Sequence, residues 1–252
     1  MLGALKARGL IWPAAATLVT VVFLVSLGNW QMRRLAWKEG LIAAIAARTH
    51  TEPVTLAAAE ERAARGEDIE YARVKVDGQL LNEREIHLYA FDETYGPGYD
   101  VITPLRLADG SAVFVNRGFV PEDLREPAKR QAGQQGGTVT IVGLVRAPEA
   151  KRMFVPDNDV ARNVWYWRDL DAMAAAVLGT EAAHAHHVFV DAEATPAPPG
   201  GWPKGGVTRL ELPNRHLEYA LTWYGLAAAL VGVFAAFAAA RWRHPAPDER
   251  RR

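Results

Sequence analysis

Asn214-Arg215-His216-Leu217-Glu218-Tyr219-Ala220-Leu221-Thr222-Trp223-Tyr224 is the point at which a polar region runs into a membrane-length apolar one. Charge stops at Glu218 and returns at Arg241, a gap of 22 residues. As a helix that gap covers about 30 Å, the thickness of a bilayer's hydrocarbon core. A histidine stands at its mouth. On a helix His216, Tyr219, Ala220 and Trp223 fall at i, i+3, i+4 and i+7 and share a face. Two readings fit that face. One is an aromatic belt at the lipid–water boundary. The other is a cofactor or partner site, with an imidazole as ligand and flanking rings packing a flat apolar molecule.

The other end of the chain repeats the pattern. Lys6 and Arg8 are the only charged side chains before Gly9, and Leu10 to Leu27 is almost wholly apolar. A cleaved signal peptide and a retained span both fit. Trp30, Arg33 and Arg34 right after the apolar run suit an interfacial stop, which favours the span. Leu27 to Ile42 reads as a continuing helix with Trp30, Arg34, Trp37 and Leu41 on one face.

Between the two apolar segments lies a polar middle. The chain of 252 residues has a formal net charge of zero, which gives no footing for bulk nucleic-acid binding. It has no cysteine, so disulfides, thiolate metal sites and cysteine nucleophiles are excluded. No nucleophile elbow, phosphate loop or His-Glu-x-x-His occurs, and the chain is expected not to be an enzyme.

Both ends of that middle resemble one family. Leu27-Gly28-Asn29-Trp30-Gln31, followed by Leu35-Ala36-Trp37-Lys38 and the aliphatic pair Leu41-Ile42, resembles the entry motif of the Surf-one (surfeit locus protein one) family, the cytochrome c oxidase assembly factors. That family's Asn-x-His-Leu-x-Tyr-Ala-x-Thr-Trp motif is matched from Asn214 to Trp223.

The middle reads as α+β. The stretch from Pro53 to Arg65 suits a short helix stopped at Gly66. From Tyr71 to Leu80 the apolar residues take even positions, a half-buried strand. Arg84 to Phe91 continues that way, and Leu81-Asn82-Glu83 between them suggests a hairpin or meander. Asp100 to Leu107 is a strand whose Pro104 suggests an edge or bulge. Asp109-Gly110 is a hairpin turn, with Ser111 to Val115 returning.

Gly98-Tyr99-Asp100-Val101-Ile102-Thr103-Pro104-Leu105 and Val115-Asn116-Arg117-Gly118-Phe119-Val120-Pro121 also look like the Surf-one family, with Phe119 where many members carry Trp. Arg117 suits a bidentate carboxylate, such as a haem propionate or a partner's acid, or a structural pair with an acid inside the domain.

Glu122 to Gly137 reads as an exposed, mobile loop, and Thr138 to Arg146 as a central strand. Trp165-Tyr166-Trp167 before a Met173-Ala174 helix is again similar to the family. In His184-Ala185-His186-His187, read as a strand, at most two imidazoles share a face, so a metal site competes with plain surface histidines.

The expected architecture is a membrane protein of two transmembrane helices flanking an α+β soluble domain with a mainly antiparallel sheet or partly closed barrel. Its expected parts are helix 1 over 10–29, the domain over 30–215, helix 2 over 216–240 and a basic cytoplasmic tail over 241–252. Arg241, Arg243, Arg250, Arg251 and Arg252 put that tail inside by the positive-inside rule, and the domain in the periplasm. Eight residues before the first span leave no room for a transit peptide, which points to a bacterial inner membrane.

The resemblance implies an assembly factor and chaperone for cytochrome c oxidase in respiratory-chain biogenesis. Haem a would be its transient cargo, taken from haem A synthase and passed to subunit I. His216 would be the axial ligand, Tyr219 and Trp223 would flank the macrocycle, and Arg117 would meet a propionate; no metal other than haem iron is implied. The partners implied are those two proteins and membrane lipid, without nucleic acid. The rival expectation is a haem-free scaffold that steadies oxidase subunits during assembly.

Overall fold

The computed structural model describes residues 8–208 and 213–243. Lys6, His244 and the arginines at 250–252 lie outside the described residues. The chain divides into two compact units, residues Met1–Ala44 with Glu211–Arg252, and residues Ile45–Leu210.

The first unit is a pair of helices. Helix α1 runs Ile11–Thr49, its last five residues belonging to the second unit, and a second long helix runs His216–Arg243. Both are long and apolar enough to cross a membrane. Leu18, Val19, Val22 and Phe23 of the one, and Leu221, Val231, Val233 and Phe237 of the other, stand exposed. A soluble helix turns such residues inward, so this outward display matches lipid rather than water as the surrounding medium.

The second unit is built round a closed barrel. Its strands are β1 (Val54–Thr55), β2 (Arg73–Leu80), β3 (Ile86–Asp92), β4 (Gly96–Arg106), β5 (Ala112–Pro121), β6 (Thr138–Arg146), β7 (Val164–Trp165) and β8 (Ala185–Ala192). Two short helices, α2 (Leu56–Ala64) and α3 (Leu170–Leu178), are capped at their N-termini by the side chains of Thr55 and Asp169. The long second helix of the first unit is α4. The sheet order β1-β2-β6-β8-β5-β4-β3-β7 closes on itself through β2–β4, leaving five strands in the ring. The β5–β8 pair is parallel and the other ring pairs are antiparallel.

Strand parity divides the core in two. Val74, Val76, Leu105, Val113, Val115 and Val190 form one cluster, which Leu56 and Ala59 of α2 join. Phe114, Phe189 and Ile102, one residue out of phase, form the other with Trp165 and the Leu170, Met173 and Leu178 face of α3. β5 is therefore buried on both faces, as a central strand beneath a helix must be.

Three local expectations change. β2 and β3 form no hairpin: a 3-10 turn at Asn82–Arg84 separates them, β2 pairs with β6, and β3 pairs with β4. Pro104 lies in a doubly paired strand, at the step where β4 leaves β3 for β2. Its carbonyl accepts from the amide of Leu81 on that side, so the missing donor falls in the gap between partners. The 122–137 stretch is packed into short 3-10 turns with Arg130 and Gly133 buried, because an ion pair reaches into it from the barrel.

Candidate functional site

In the helix pair, His216 opens α4, and its Nδ1 lies 2.7 Å from Oε1 of Gln31 on α1. Gln31 is only 9% exposed. A buried amide between two apolar helices requires a partner, and the imidazole is that partner. Nδ1 donates to the amide oxygen, so the ring's lone pair sits on Nε2, which has no hydrogen bond among the described residues.

The rest of the contact is made by small residues. Ala220 and Ala227 are buried, and a Cβ on Gly28 would run into the ring of Tyr224. Such residues let helix backbones approach closely. Tyr224 Oη donates to Asn29 Oδ1 at 2.7 Å. At the ends, Lys38 donates to the carbonyl of Pro213, and Arg8 to the carbonyls of Arg241 (2.8 Å) and Trp242 (3.1 Å), which close α4.

The face of α4 that meets α1 is thus His216, Ala220, Tyr224 and Ala227. With 3.6 residues per turn, Tyr219 lies at its trailing edge and is 52% exposed, while Trp223 beside His216 is partly buried. Gln31, Asn29 and Tyr224 went unrecognised in the sequence. Gln31 was visible inside the entry motif, but no one-dimensional signal says which imidazole it faces.

Arg117 belongs to the barrel. It sits in β5 where the β4–β5 register slips between Asp100/Phe119 and Ile102/Asn116, beside Gly118 at φ +116°. Its guanidinium is buried, donating to Asn82 Oδ1 at 3.1 Å and to the carbonyl of Gly133. Among the described residues it has no carboxylate partner, so the expected acid pair within the domain is not formed. Burial pushes its pKa down to about 10, with the charge of Glu85 opposing and that of Arg130 assisting. It remains a cation at neutral pH.

Glu85 is committed elsewhere. Its Oε1 accepts from His87 Nε2 at 2.9 Å and from Arg130 NH2, and all three side chains are buried. Arg125 Nε donates to the other ring nitrogen of His87 at 3.2 Å. Burial pushes the Glu85 carboxyl up, but the His87 and Arg130 hydrogen bonds and the Arg130 charge outweigh it and hold the pKa below its ordinary value.

The histidine tract lies partly off the strand. His184 ends a 3-10 turn, and His186 is shared between Glu60 (2.7 Å) and Ser111 (2.9 Å). Among the described residues no group of three His, Cys, Asp or Glu side chains is placed to hold a metal ion.

Fold and site together define a class: a small barrel domain carried between two membrane-capable helices, with a part-buried imidazole–amide pair joining the helices. Residues 18–228 match the SURF1 family model. The chain is 39% identical over 240 residues to a SURF1-like protein of Monosiga brevicollis, covering 91% of this chain and 87% of that one. It is 39% identical over 219 residues to Surfeit locus protein 1 of Rattus norvegicus, covering 81% and 68%. Against Surfeit locus protein 1 of Homo sapiens the identity is 39% over 219 residues, covering 81% and 70%. The chain belongs to the SURF1 family.

Proposed function

We propose that this protein is an oxidase assembly factor rather than an enzyme. It accepts haem a from haem A synthase, holds it at the head of α4 and releases it to subunit I of cytochrome c oxidase. One observation carries the reading. His216 has its Nδ1 tied to buried Gln31 and its Nε2 open, the arrangement of a metal-ligating imidazole with a supporting second hydrogen bond. The residues present therefore fit a haem iron.

Each residue has a separate task. Gln31 fixes the ring's orientation and the nitrogen that carries the hydrogen. Tyr219 and Trp223, one helical turn apart on the same side of His216, offer apolar ring surface beside it. Arg117, in the barrel, is a separate seat for a carboxylate such as a propionate. α1 and α4 span a bacterial inner membrane, in contact with its lipid, with the barrel in the periplasm. Because the haem is cargo, its hold has to be loose enough for release.

Co-expression with haem A synthase and purification in detergent tests this. The wild type is expected to carry a ligated haem spectrum, and His216→Ala to lose or shift it while staying folded, since an alanine leaves a cavity and no stranded charge. Gln31→Leu is expected to weaken haem retention roughly 10-fold, as the loss of a second hydrogen bond to a ligating ring does. Identical haem content in His216→Ala would remove His216 as ligand. A colourless wild type would leave the haem-free scaffold as the better account.

Orientation has its own test. A reporter active only in the periplasm is expected to work when fused after Gln135 and to be silent after Arg252. The reverse pattern would overturn the topology and the haem route with it.

A further inference from the structure

Arg117 is the least explained charge in the barrel. Removing a guanidinium from water costs several kcal/mol, and structures offset that cost with an anion. Here Arg117 is 7% exposed and bound to one amide oxygen and one backbone carbonyl, both neutral acceptors. Glu85 is spent on Arg130 and His87. Of five guanidinium N–H donors, two have acceptors among the described residues, which leaves three.

The same side chain lines a cavity of about 290 Å³. Leu80, Ile141, Val142, Pro196 and Pro203 give it apolar walls, and Thr140 adds a hydroxyl. The other charged lining residue, Glu193, is paired bidentately with Arg73 at 2.6 and 2.9 Å. A small pocket of mixed lining, with apolar walls and a buried cation that has no carboxylate partner among the described residues, is a built receptor for an acid. Its volume lies at the lower end of ligand sites, too small for a macrocycle.

We infer that this cavity binds a carboxylate carried on a short apolar arm, with Arg117 gripping the carboxylate and Leu80, Ile141 and Val142 holding the arm. Two sources share that chemistry: a free short-chain acid, and the propionate arm of a larger molecule. The inference deepens the assignment of Arg117 made above, and it stands whether or not His216 holds iron.

Calorimetry on the full chain in lipid nanodiscs tests it, with hexanoate as the probe. Hexanoate is expected to bind saturably to wild type and to His216→Ala alike, so failure of the haem reading leaves this result intact. Arg117→Gln removes the charge, keeps an amide donor and is expected to weaken hexanoate about 10- to 100-fold, the effect of one lost charged hydrogen bond. Should that variant fail to fold, Val142→Phe fills the cavity, retains the cation and is expected to abolish binding. Hexanamide, of the same shape without charge, is expected to bind at least about 10-fold more weakly than hexanoate.

Displacement of bound hexanoate when wild type is loaded with haem identifies the propionate arm as the source, and its retention identifies a free acid. No saturable binding of hexanoate to wild type overturns the inference. So does equal binding by Arg117→Gln, or inorganic phosphate competing as well as hexanoate, since a bare anion needs no apolar arm.

Discussion

Gly118→Ala lowers the melting temperature of the barrel by about 6–12 °C, on the expectation of roughly 3 kcal/mol lost from a domain of this size. Two costs add. At φ +116° an L-residue is strained by about 1–3 kcal/mol. A Cβ there also lands on the carbonyl oxygen of Lys204, which is backbone and cannot swing aside. Forcing extra volume into packed structure costs about another 1–3 kcal/mol. That carbonyl is itself engaged, accepting from the amide of Phe119 at 2.9 Å. Opening the contact therefore breaks the bridge that ties the 195–206 loop to β5. Thermal unfolding of the full chain in nanodiscs, followed by near-UV circular dichroism, reads the effect. An unchanged melting temperature would mean that the bulge relaxes freely and that the close approach has no energetic weight.

Glu85→Ala is the second large effect, about 3–5 kcal/mol. The reason is the partner it abandons. Arg130 has a side chain only 2% exposed, its NH1 has no acceptor among the described residues, and its NH2 bonds Glu85 and the carbonyl of Arg125. Without the carboxylate Arg130 is left buried with no carboxylate partner among the described residues. The double variant Glu85→Ala with Arg130→Met is expected to recover part of the loss, because it removes the stranded charge as well.

Acid has the same target. The folded-state pKa of Glu85 is depressed, so its contribution is fully present above the unfolded value, near 4.3, and is lost as pH falls through the lower folded value. Melting temperature should therefore fall below about pH 4 in the wild type. Glu85→Gln should show a shallower acid slope. Equal slopes in the two proteins would show that Glu85 is not a principal acid-sensitive group.

Membrane-length helices and barrel strands were legible for different physical reasons. A bilayer demands about 20 uncharged residues whatever else the chain does, so Leu10 to Leu27 and Tyr219 to Ala240 announced themselves by composition. Period-two alternation needs only one buried face, and Arg73–Leu80 shows it residue by residue. His216 could be singled out because a lone imidazole at the mouth of an apolar run is conspicuous, and the motifs at both ends carried the family.

Partnership was decided in three dimensions. Nothing local distinguishes a β2–β3 hairpin from a β2–β6 pair; the choice is made by ring closure, which pairs Leu80 with Leu105. The stretch 122–137, rich in charge, Gln and Gly in sequence, is tied down by one buried ion pair from Arg130 to Glu85, 45 residues earlier in the chain. Gln31 finds His216 across 185 residues. Tyr219, equal to Ala220 by helical spacing, turns outward because α1 lies on the other side of the histidine. Periodicity is local physics and can be read in one dimension. The pairing of buried polar groups depends on which distant donor the fold delivers, and that only the assembled structure decides.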